Sequence, residues 1–537
     1  MLKPTPLILF GCILFAGCSQ MSAVPDATRA STSSSSSTLN SHQRSPDKID
    51  LLAHLDDDYA EESDEYTDLW SRLRDGYQFG DVSNSRIDKH LKSYLRHPSY
   101  IERVTERGNE YLYHIVNELE ARNMPLELAL LPIVESAFDP FAYSHGRASG
   151  MWQFIPSTGT HFGLKQNWWY DGRRDVLAST DAALTYLSQL HKRFDEDWLL
   201  ALAAYNAGGG NVNKAIRANK RKGKPTDFWS LDLPQETRAY VPRLIAISKI
   251  ILEPEQYNVT LASIDNQPYF EAVDTGSQID LAQAALLADV TLDDLYRLNA
   301  GFNRWATDPQ GPHRLLIPVD KVEDFRAALD ELPSDSRVGW ERYQVKSGDS
   351  LLALAKRFNT SADVIREHNN LSGNLIRIGQ TLLIPSATLA ANQYAKAEPQ
   401  RIQKIQNNST GSSGTRKVNY TVKSGDSLWS IAKQHQVSVG QLAKWNGMAP
   451  KDTLKAHQKL VVWTPVGSST LASAGPSNKA VVRKVAYQVR NGDSLSRIAG
   501  KFSLSVNDIL RWNPIDTSNY LQPGQFLTLF VDVTRTH

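Results

Sequence analysis

Three copies of one short pattern fill the last third of the chain. They read YQVKSGDSLLALAKRF from Tyr343, YTVKSGDSLWSIAKQH from Tyr420 and YQVRNGDSLSRIAGKF from Tyr487. After a variable stretch each closes on an apolar, strand-like segment, at Thr381, Lys459 and Phe526. Repetition on this scale means one small supersecondary unit used several times, so this part of the chain cannot be a single continuous core. Repeating a weak binding unit raises avidity for a repetitive target without any new contact. At 537 residues the chain is also too long for one compact domain.

Within a copy, alternating residues (Tyr420, Val422 against Thr421) run into a Gly425-Asp426 turn, and Asp426 or Ser427 is placed to cap the helix that follows. Leu428, Ile431 and Ala432 give that helix an apolar face. A second short helix ends on a polar residue, Asn369, Asn446 or Asn513, before the closing strand. This βααβ pattern, with its Tyr-x-Val-x-x-Gly-Asp-Ser-Leu opening, resembles the LysM family. The resemblance implies binding of N-acetylglucosamine-containing glycans, chiefly peptidoglycan and chitin. The Gly348-Asp349 turn and its equivalents are accounted for by the turn alone. A worn fourth copy is expected upstream, from Val273-Asp274-Thr275-Gly276-Ser277 through IDLAQAALLADVTLDDLYRLNAGFN to Leu315. It lacks the Gly-Asp pair and carries a long loop with Trp305, so a LysM-like domain and an unrelated α+β spacer both fit.

Basic and acidic residues nearly cancel, Lys+Arg 59 against Asp+Glu 58, which argues against a nucleic-acid binder. At the N-terminus, Lys3 precedes an apolar stretch from Leu7 to Ala16 that ends in Ala16-Gly17-Cys18, the shape of a secretory signal. A Cys after Ala-Gly resembles the bacterial lipobox, with Phe15 standing where Leu is usual; an ordinary signal peptide cut nearby is the alternative. The resemblance implies acylation of Cys18, a membrane partner through that lipid, and, with non-acidic Ser19 next, the periplasmic face of the outer membrane. Cys12 and Cys18 are the only cysteines, so cleavage before Cys18 leaves no disulfide. Ser, Thr, Pro and Ala dominate from Met21 to about Asp47, the composition of a flexible tether, and the acidic run from Asp56 to Glu65 reads as solvated.

From about Leu69 to Pro254 the pattern is mostly helical. NEYLYHIVNELEARNM and ASTDAALTYLSQLHKRF carry apolar residues at helical spacing, and Ser179 or Thr180 is expected to cap the second. Inside this region lies LALLPIVESAFDPFAYSHGRASGMWQFIPSTG. Glu135 follows an apolar run and precedes Ala137 and Phe138. A carboxyl so placed loses hydration, which raises its pKa. A carboxylic acid still protonated near neutral pH is what a glycosidic oxygen needs as proton donor. Taken alone, such a Glu is more often an exposed residue on an amphipathic helix.

Its company changes that weighting. Glu135-Ser136, Ser144, Gly150-Met151-Trp152-Gln153 and Ala204-Tyr205-Asn206-Ala207-Gly208 occur in one order. The set resembles the lytic transglycosylases with a goose-lysozyme-like fold, whose middle motif reads Gly-Leu-Met-Gln where this chain has Gly-Met-Trp-Gln. The resemblance implies Glu135 as catalytic acid/base, Ser144 hydrogen-bonding near that carboxyl, Gln153 lining the cleft, and Tyr205, Asn206 and Tyr240 near the sugar. Buried structural roles are the alternative for Gln153, Asn206 and Tyr240. Trp152 reads as core. Gly208 to Gly210 lack the ending of a phosphate loop. The basic run Arg217 to Lys224 reads as a solvated face, with the anionic stem peptides of murein as a weaker alternative.

The expected architecture is therefore multidomain: a mainly α, lysozyme-like catalytic domain followed by small α+β LysM domains. Residues 1–17 read as signal peptide, 18–68 as lipidated Cys and tether, 69–254 as catalytic domain and 265–330 as the degenerate unit or spacer. The repeats take 341–385, 418–464 and 485–532, with linkers at 386–417 and 465–484. Asp139, the nearest second carboxylate to Glu135, precedes Pro140 and reads as a turn residue. With one carboxyl, the resemblance implies a route without water, metal or cofactor. Glu135 protonates the oxygen linking N-acetylmuramic acid to N-acetylglucosamine, then takes the proton of the muramyl C6 hydroxyl as it attacks C1, giving a 1,6-anhydro end. A lysozyme-type hydrolase and a catalytically silent peptidoglycan-binding scaffold are the rival readings. The expected partner is the peptidoglycan glycan strand.

Overall fold

The computed structural model describes residues 66, 68–465 and, with short gaps, 482–532. The expected signal peptide, Cys18, nearly all of the tether and most of the 465–484 connection lie outside these residues. The chain divides between Pro465 and Val466 into two compact units.

The first unit opens with a helical domain: α1 (Leu69–Asp75), α2 (Ser85–Leu95), α3 (Pro98–Gly108), α4 (Leu112–Glu120), α5 (Leu131–Ser136), α6 (Pro156–His161), α7 (Val176–Arg193), α8 (Trp198–Ala207), α9 (Gly209–Lys220) and α10 (Gln235–Leu252). Its core is built from the apolar faces of these helices, with Leu112, Ile115, Leu184, Leu187, Ala201 and Leu244 essentially without exposure. Trp152 sits in that core, as its setting suggested, and its indole Nε1 donates to Thr180 Oγ1 at 3.0 Å. A buried indole N–H left without that acceptor would be costly. The cap of α7 is a correction. Asp175, not Ser179 or Thr180, is its N-cap, with Oδ1 accepting from Ala178 N at 2.8 Å, and Ser179 and Thr180 are buried inside the helix.

Next come β1 (Phe270–Asp274), α11 (Leu281–Leu287), α12 (Leu292–Leu298), β2 (Arg314–Pro318) and an additional helix α13 (Val322–Glu331). β1 and β2 pair antiparallel with Ala272 opposite Leu316. The first full repeat is β3 (Gly339–Gln344), α14 (Leu351–Arg357), α15 (Ala362–His368) and β4 (Thr381–Ser386). The stretch expected as a linker, 386–417, contains α16 (Glu398–Asn408), tied down by an Arg304–Glu398 ion pair at 2.7 Å. The second repeat is β5 (Thr415–Thr421), α17 (Leu428–Gln434), α18 (Val439–Trp445) and β6 (Lys459–Pro465). The second unit holds the third repeat: β7 (Val482–Gln488), α19 (Leu495–Phe502), α20 (Val506–Trp512) and β8 (Phe526–Asp532).

One polar device recurs in all four small domains. Asn369 donates from Nδ2 to Ile365 O and Leu383 O, both at 2.7 Å, and its Oδ1 accepts from Leu383 N. Asn446, Asn513 and, in the worn copy, Asn299 make the same three bonds. The side chain thus satisfies a helix-end carbonyl and both groups of one strand residue, groups that burial would otherwise leave unpaired. The turn device is less widely kept. Asp349, Asp426 and Asp493 each accept from the opening Tyr hydroxyl and from a turn N–H. At the corresponding turn of the worn copy, Gly276 N donates to Asp274 Oδ1. Its helix cap, Asp280, accepts from Ala282 N, from Tyr394 OH and from Thr388 N.

The worn copy also shares a buried seam with the helical domain. Asp171 N donates to Gly301 O at 2.8 Å, Arg174 Nε donates to Ala300 O at 2.9 Å, and Arg314 pairs with Asp175 at 2.9 Å. Trp169 and Tyr170 pack there with Phe302 and Trp305, and Trp305, on its long loop, is fully buried with Nε1 donating to Asn359 O.

Candidate active site

Glu135 lies in the last turn of the short helix α5. Ala137 ends that helix in the left-handed region at φ 55°, and Phe138 follows at φ 54°. The chain therefore breaks away immediately after Glu135-Ser136. Ser136, to which no role was given from sequence, donates from Oγ to Met151 O at 3.0 Å and fastens α5 to the Gly150–Gln153 segment. That segment makes a tight approach to the backbone opposite. A Cβ on Gly150, at φ 84°, would lie 1.9 Å from Arg173 O, so only glycine fits.

Glu135 is half-buried, its carboxyl closely surrounded by protein, and Tyr240 of α10 donates its hydroxyl to Oε1. Burial pushes the carboxyl up to about 8; the Tyr240 hydrogen bond opposes that rise and the like charge of Glu236 adds to it. Glu236, also on α10, was not singled out from sequence. Nothing local marks it, because it lies 101 residues along the chain and reaches Glu135 only through the fold.

The other expected residues assemble around this pair to different degrees. Tyr205, at the end of α8, donates to Trp152 O at 2.9 Å, and burial together with the charge of Glu135 pushes its hydroxyl well above the ordinary range. Asn206 accepts on Oδ1 from Thr237 Oγ1 at 2.8 Å, joining the end of α8 to α10. Gln153, at φ 51°, donates from Nε2 to Gly150 O at 2.8 Å, holding its own turn. Ser144 is placed otherwise than expected: its Oγ accepts from Ala148 N at 3.0 Å and closes the 144–148 loop, and a bond to Glu135 is not among its contacts. Asp139 serves its own turn, with Oδ1 accepting from Phe141 N at 2.9 Å. Among the described residues no three His, Cys, Asp or Glu side chains gather as a metal site.

Known proteins share parts of this chain. Residues 113–228 match the Transglycosylase SLT domain, 343–385, 420–463 and 487–530 match the LysM domain, and 269–334 match the LysM-like domain of the lytic transglycosylase MltD. The last match covers most of the segment for which a LysM-like domain and a spacer both fitted. The Putative tributyltin chloride resistance protein of Alteromonas sp. is 44% identical over 30% of this chain and 78% of its own. A crystal structure of the 70 kDa soluble lytic transglycosylase of Escherichia coli matches 35% of this chain and 32% of its own at 18% identity, with a TM-score of 0.24. The Membrane-bound lytic murein transglycosylase D of Escherichia coli is 40% identical over 410 residues, 73% of this chain and 86% of that protein. On that likeness, together with the domain order and the site, the chain belongs to the membrane-bound lytic murein transglycosylase D family.

Proposed function

We propose that the chain cleaves the β-1,4 bond between N-acetylmuramic acid and N-acetylglucosamine in peptidoglycan, leaving 1,6-anhydromuramyl ends, and that Glu135 is its acid/base. The observation that carries this reading is the Glu135 carboxyl itself, pushed up to about 8 and oriented by Tyr240. At neutral pH it holds a proton to give to the departing oxygen. Once ionised it accepts the proton of the muramyl C6 hydroxyl, which attacks C1 of its own ring; the muramyl N-acetyl group stabilises the developing cation. Internal attack benefits from a large effective molarity, so no activated water is needed. Tyr240 orients the carboxyl, Tyr205 and Asn206 support the sugar-facing ends of α8 and α10, Gln153 lines the cleft, and Ser144 shapes its rim loop. The LysM repeats hold the enzyme on the glycan.

Mass spectrometry of muropeptides released from purified murein, with Glu135→Gln as control, tests the reading. Products lighter by one water, absent with the variant, are expected. Reducing-end products would instead support hydrolysis, for which Glu236 supplies the second carboxylate near Glu135. No release, with retained binding, would leave a silent scaffold.

Cys18 is the proposed lipid anchor and the periplasmic face of the outer membrane the proposed location. Support comes from the Leu7–Cys18 segment and from the membrane-bound relative. Labelled palmitate should enter the parent and not Cys18→Ala; equal labelling of both would refute the assignment.

A further inference from the structure

A cavity of about 830 Å³ lies between the catalytic domain and the second LysM repeat, walled by Asp139 and Phe141, by Asp293 of α12, by α16, and by Lys444 and Trp445 of α18. Its walls are fixed to one another. Asp452 of the repeat accepts from Tyr143 OH at 3.0 Å and pairs with Arg147 at 2.7 Å, and Arg304 holds α16 through Glu398. The lining is basic on balance, with Lys396, Arg401, Lys404 and Lys444 against Asp139 and Asp293. Lys396 approaches Asp293 at 3.8 Å. Lys404 and Lys444 are exposed and have no ion-pair partner among the described residues. Arg401 differs from them. Its Nε donates to Lys396 O at 2.8 Å and its guanidinium lies 4.7 Å from the Phe141 ring centroid, but no described residue accepts from its terminal nitrogens. Burial, reinforced by Arg174 and opposed by the charges of Glu398, Asp139 and Asp171, pulls its guanidinium down to about 9. Terminal nitrogens of a half-buried guanidinium that no acceptor engages remain available to an anion, even with carboxylates nearby.

We propose that this cavity binds a carboxylate of the peptide carried by the peptidoglycan strand, with Arg401 as its partner and Lys404 and Lys444 at the rim. The proposal rests on the reading that peptidoglycan is the substrate. Both walls then address one polymer, whose muramyl residues carry acidic peptides. The cavity wall starts at Asp139, four residues after Glu135, and Gln153 donates to Ala142 O at 3.4 Å, so wall and site share one stretch of backbone. The volume suits a ligand of a few residues. Phe141, Ile405 and Trp445 offer apolar surface to its alkyl parts, while a planar guanidinium matches a carboxylate in two parallel bonds.

Two probes test the site on the full chain carrying Glu135→Gln: a muramyl disaccharide with its peptide, and the same disaccharide after an amidase has removed it. Calorimetry should give the peptide-bearing probe the lower Kd. Arg401→Gln should shrink that advantage about tenfold, Lys404→Gln or Lys444→Gln by about two- to threefold, and Arg401→Lys, which keeps the charge but loses the paired bonds, should fall between Arg401→Gln and the parent. Equal Kd values for both probes on the parent overturn the proposal, as does equal weakening of both probes by Arg401→Gln. If Arg401→Gln loosens α16, the exposed Lys404→Glu and Lys444→Glu decide, since reversal must then penalise only the peptide-bearing probe. Failure of the enzymatic reading would show separately, as no anhydro product from murein with the Glu135 parent.

Discussion

Glu135 and Asp175 are both carboxylates taken largely out of water, and they end on opposite sides of the ordinary carboxylate range. At the site, burial outweighs the single Tyr240 hydrogen bond, and the acid rises to about 8. At the seam between the catalytic and LysM-like domains, burial of Asp175 also works to raise its pKa, but Arg314 and the Ala178 N–H outweigh it and hold the carboxyl low. Asp171, between Arg173 and Arg174, repeats the seam solution. The difference lies in the partners rather than the burial. A joint completes its charges because it must stay shut; the proposed acid/base is left short of a counter-charge, which suits a group that would hold and release a proton. The two regions should therefore respond to pH with opposite signs.

The largest effect should come from unbalancing the seam. Arg314→Met leaves Asp175 buried without its charge partner, which should cost about 3–5 kcal/mol at neutral pH. A carboxyl held low contributes stability above its unfolded value near 4 and loses it as pH falls through the folded value. The cost of Arg314→Met should therefore shrink as pH falls toward 3, because the unpaired, buried Asp175 of the variant takes up a proton more readily than the paired one of the parent. Thermal unfolding of parent and variant at pH 7 and pH 3 measures this; a penalty independent of pH would mean that packing, not charge, makes the joint.

The site was far more legible in the sequence than the seam. Glu135, Gln153, Tyr205 and Tyr240 sit in ordered motifs with an apolar run before the acid, and local burial is written in such runs. Asp171, Arg173, Arg174 and Asp175 carry no local mark of burial, because that burial depends on the Ala300 and Gly301 carbonyls and on Arg314, more than 100 residues away. The same distance effect hid the cap of α7. Asp175 and Ser179 both suit an N-cap by type, and only the seam shows where the helix starts. The Asn at each second helix end was visible as a helix terminus, but its grip on the closing strand needs the β-pairing. Glycine- and serine-rich sequence after Asn408 made 386–417 look open, although α16 precedes it.

Glu135→Gln should act in the opposite direction to Arg314→Met and more weakly. A carboxyl raised from 4.5 to about 8 favours folding below the unfolded value, and that contribution disappears as pH rises through the folded one. Gln carries no such penalty, so the variant should be the more stable protein above pH 8, by about 2 kcal/mol once the half-open position is allowed for. At pH 4 the two should unfold together. A gap of equal size at pH 4 and pH 9 would break the contrast, because Glu135 would then not be the group that titrates.

The smallest and sharpest change is Tyr240→Phe. The Tyr240 hydroxyl donates to Glu135 and so favours the ionised form, pulling the carboxyl down against burial. Removing a single donor is worth about 1 kcal/mol, less than one pH unit. The alkaline limb of kcat/KM should therefore move upward by up to that amount, even as the loss of orientation lowers the plateau. A merely structural role for Tyr240 would lower the plateau and leave the limb where it was. A limb displaced toward acid would mean that the hydroxyl stabilises the protonated form, and the contrast with the seam would then sharpen, with partner and burial both holding the proton at the site while partners at the seam expel it.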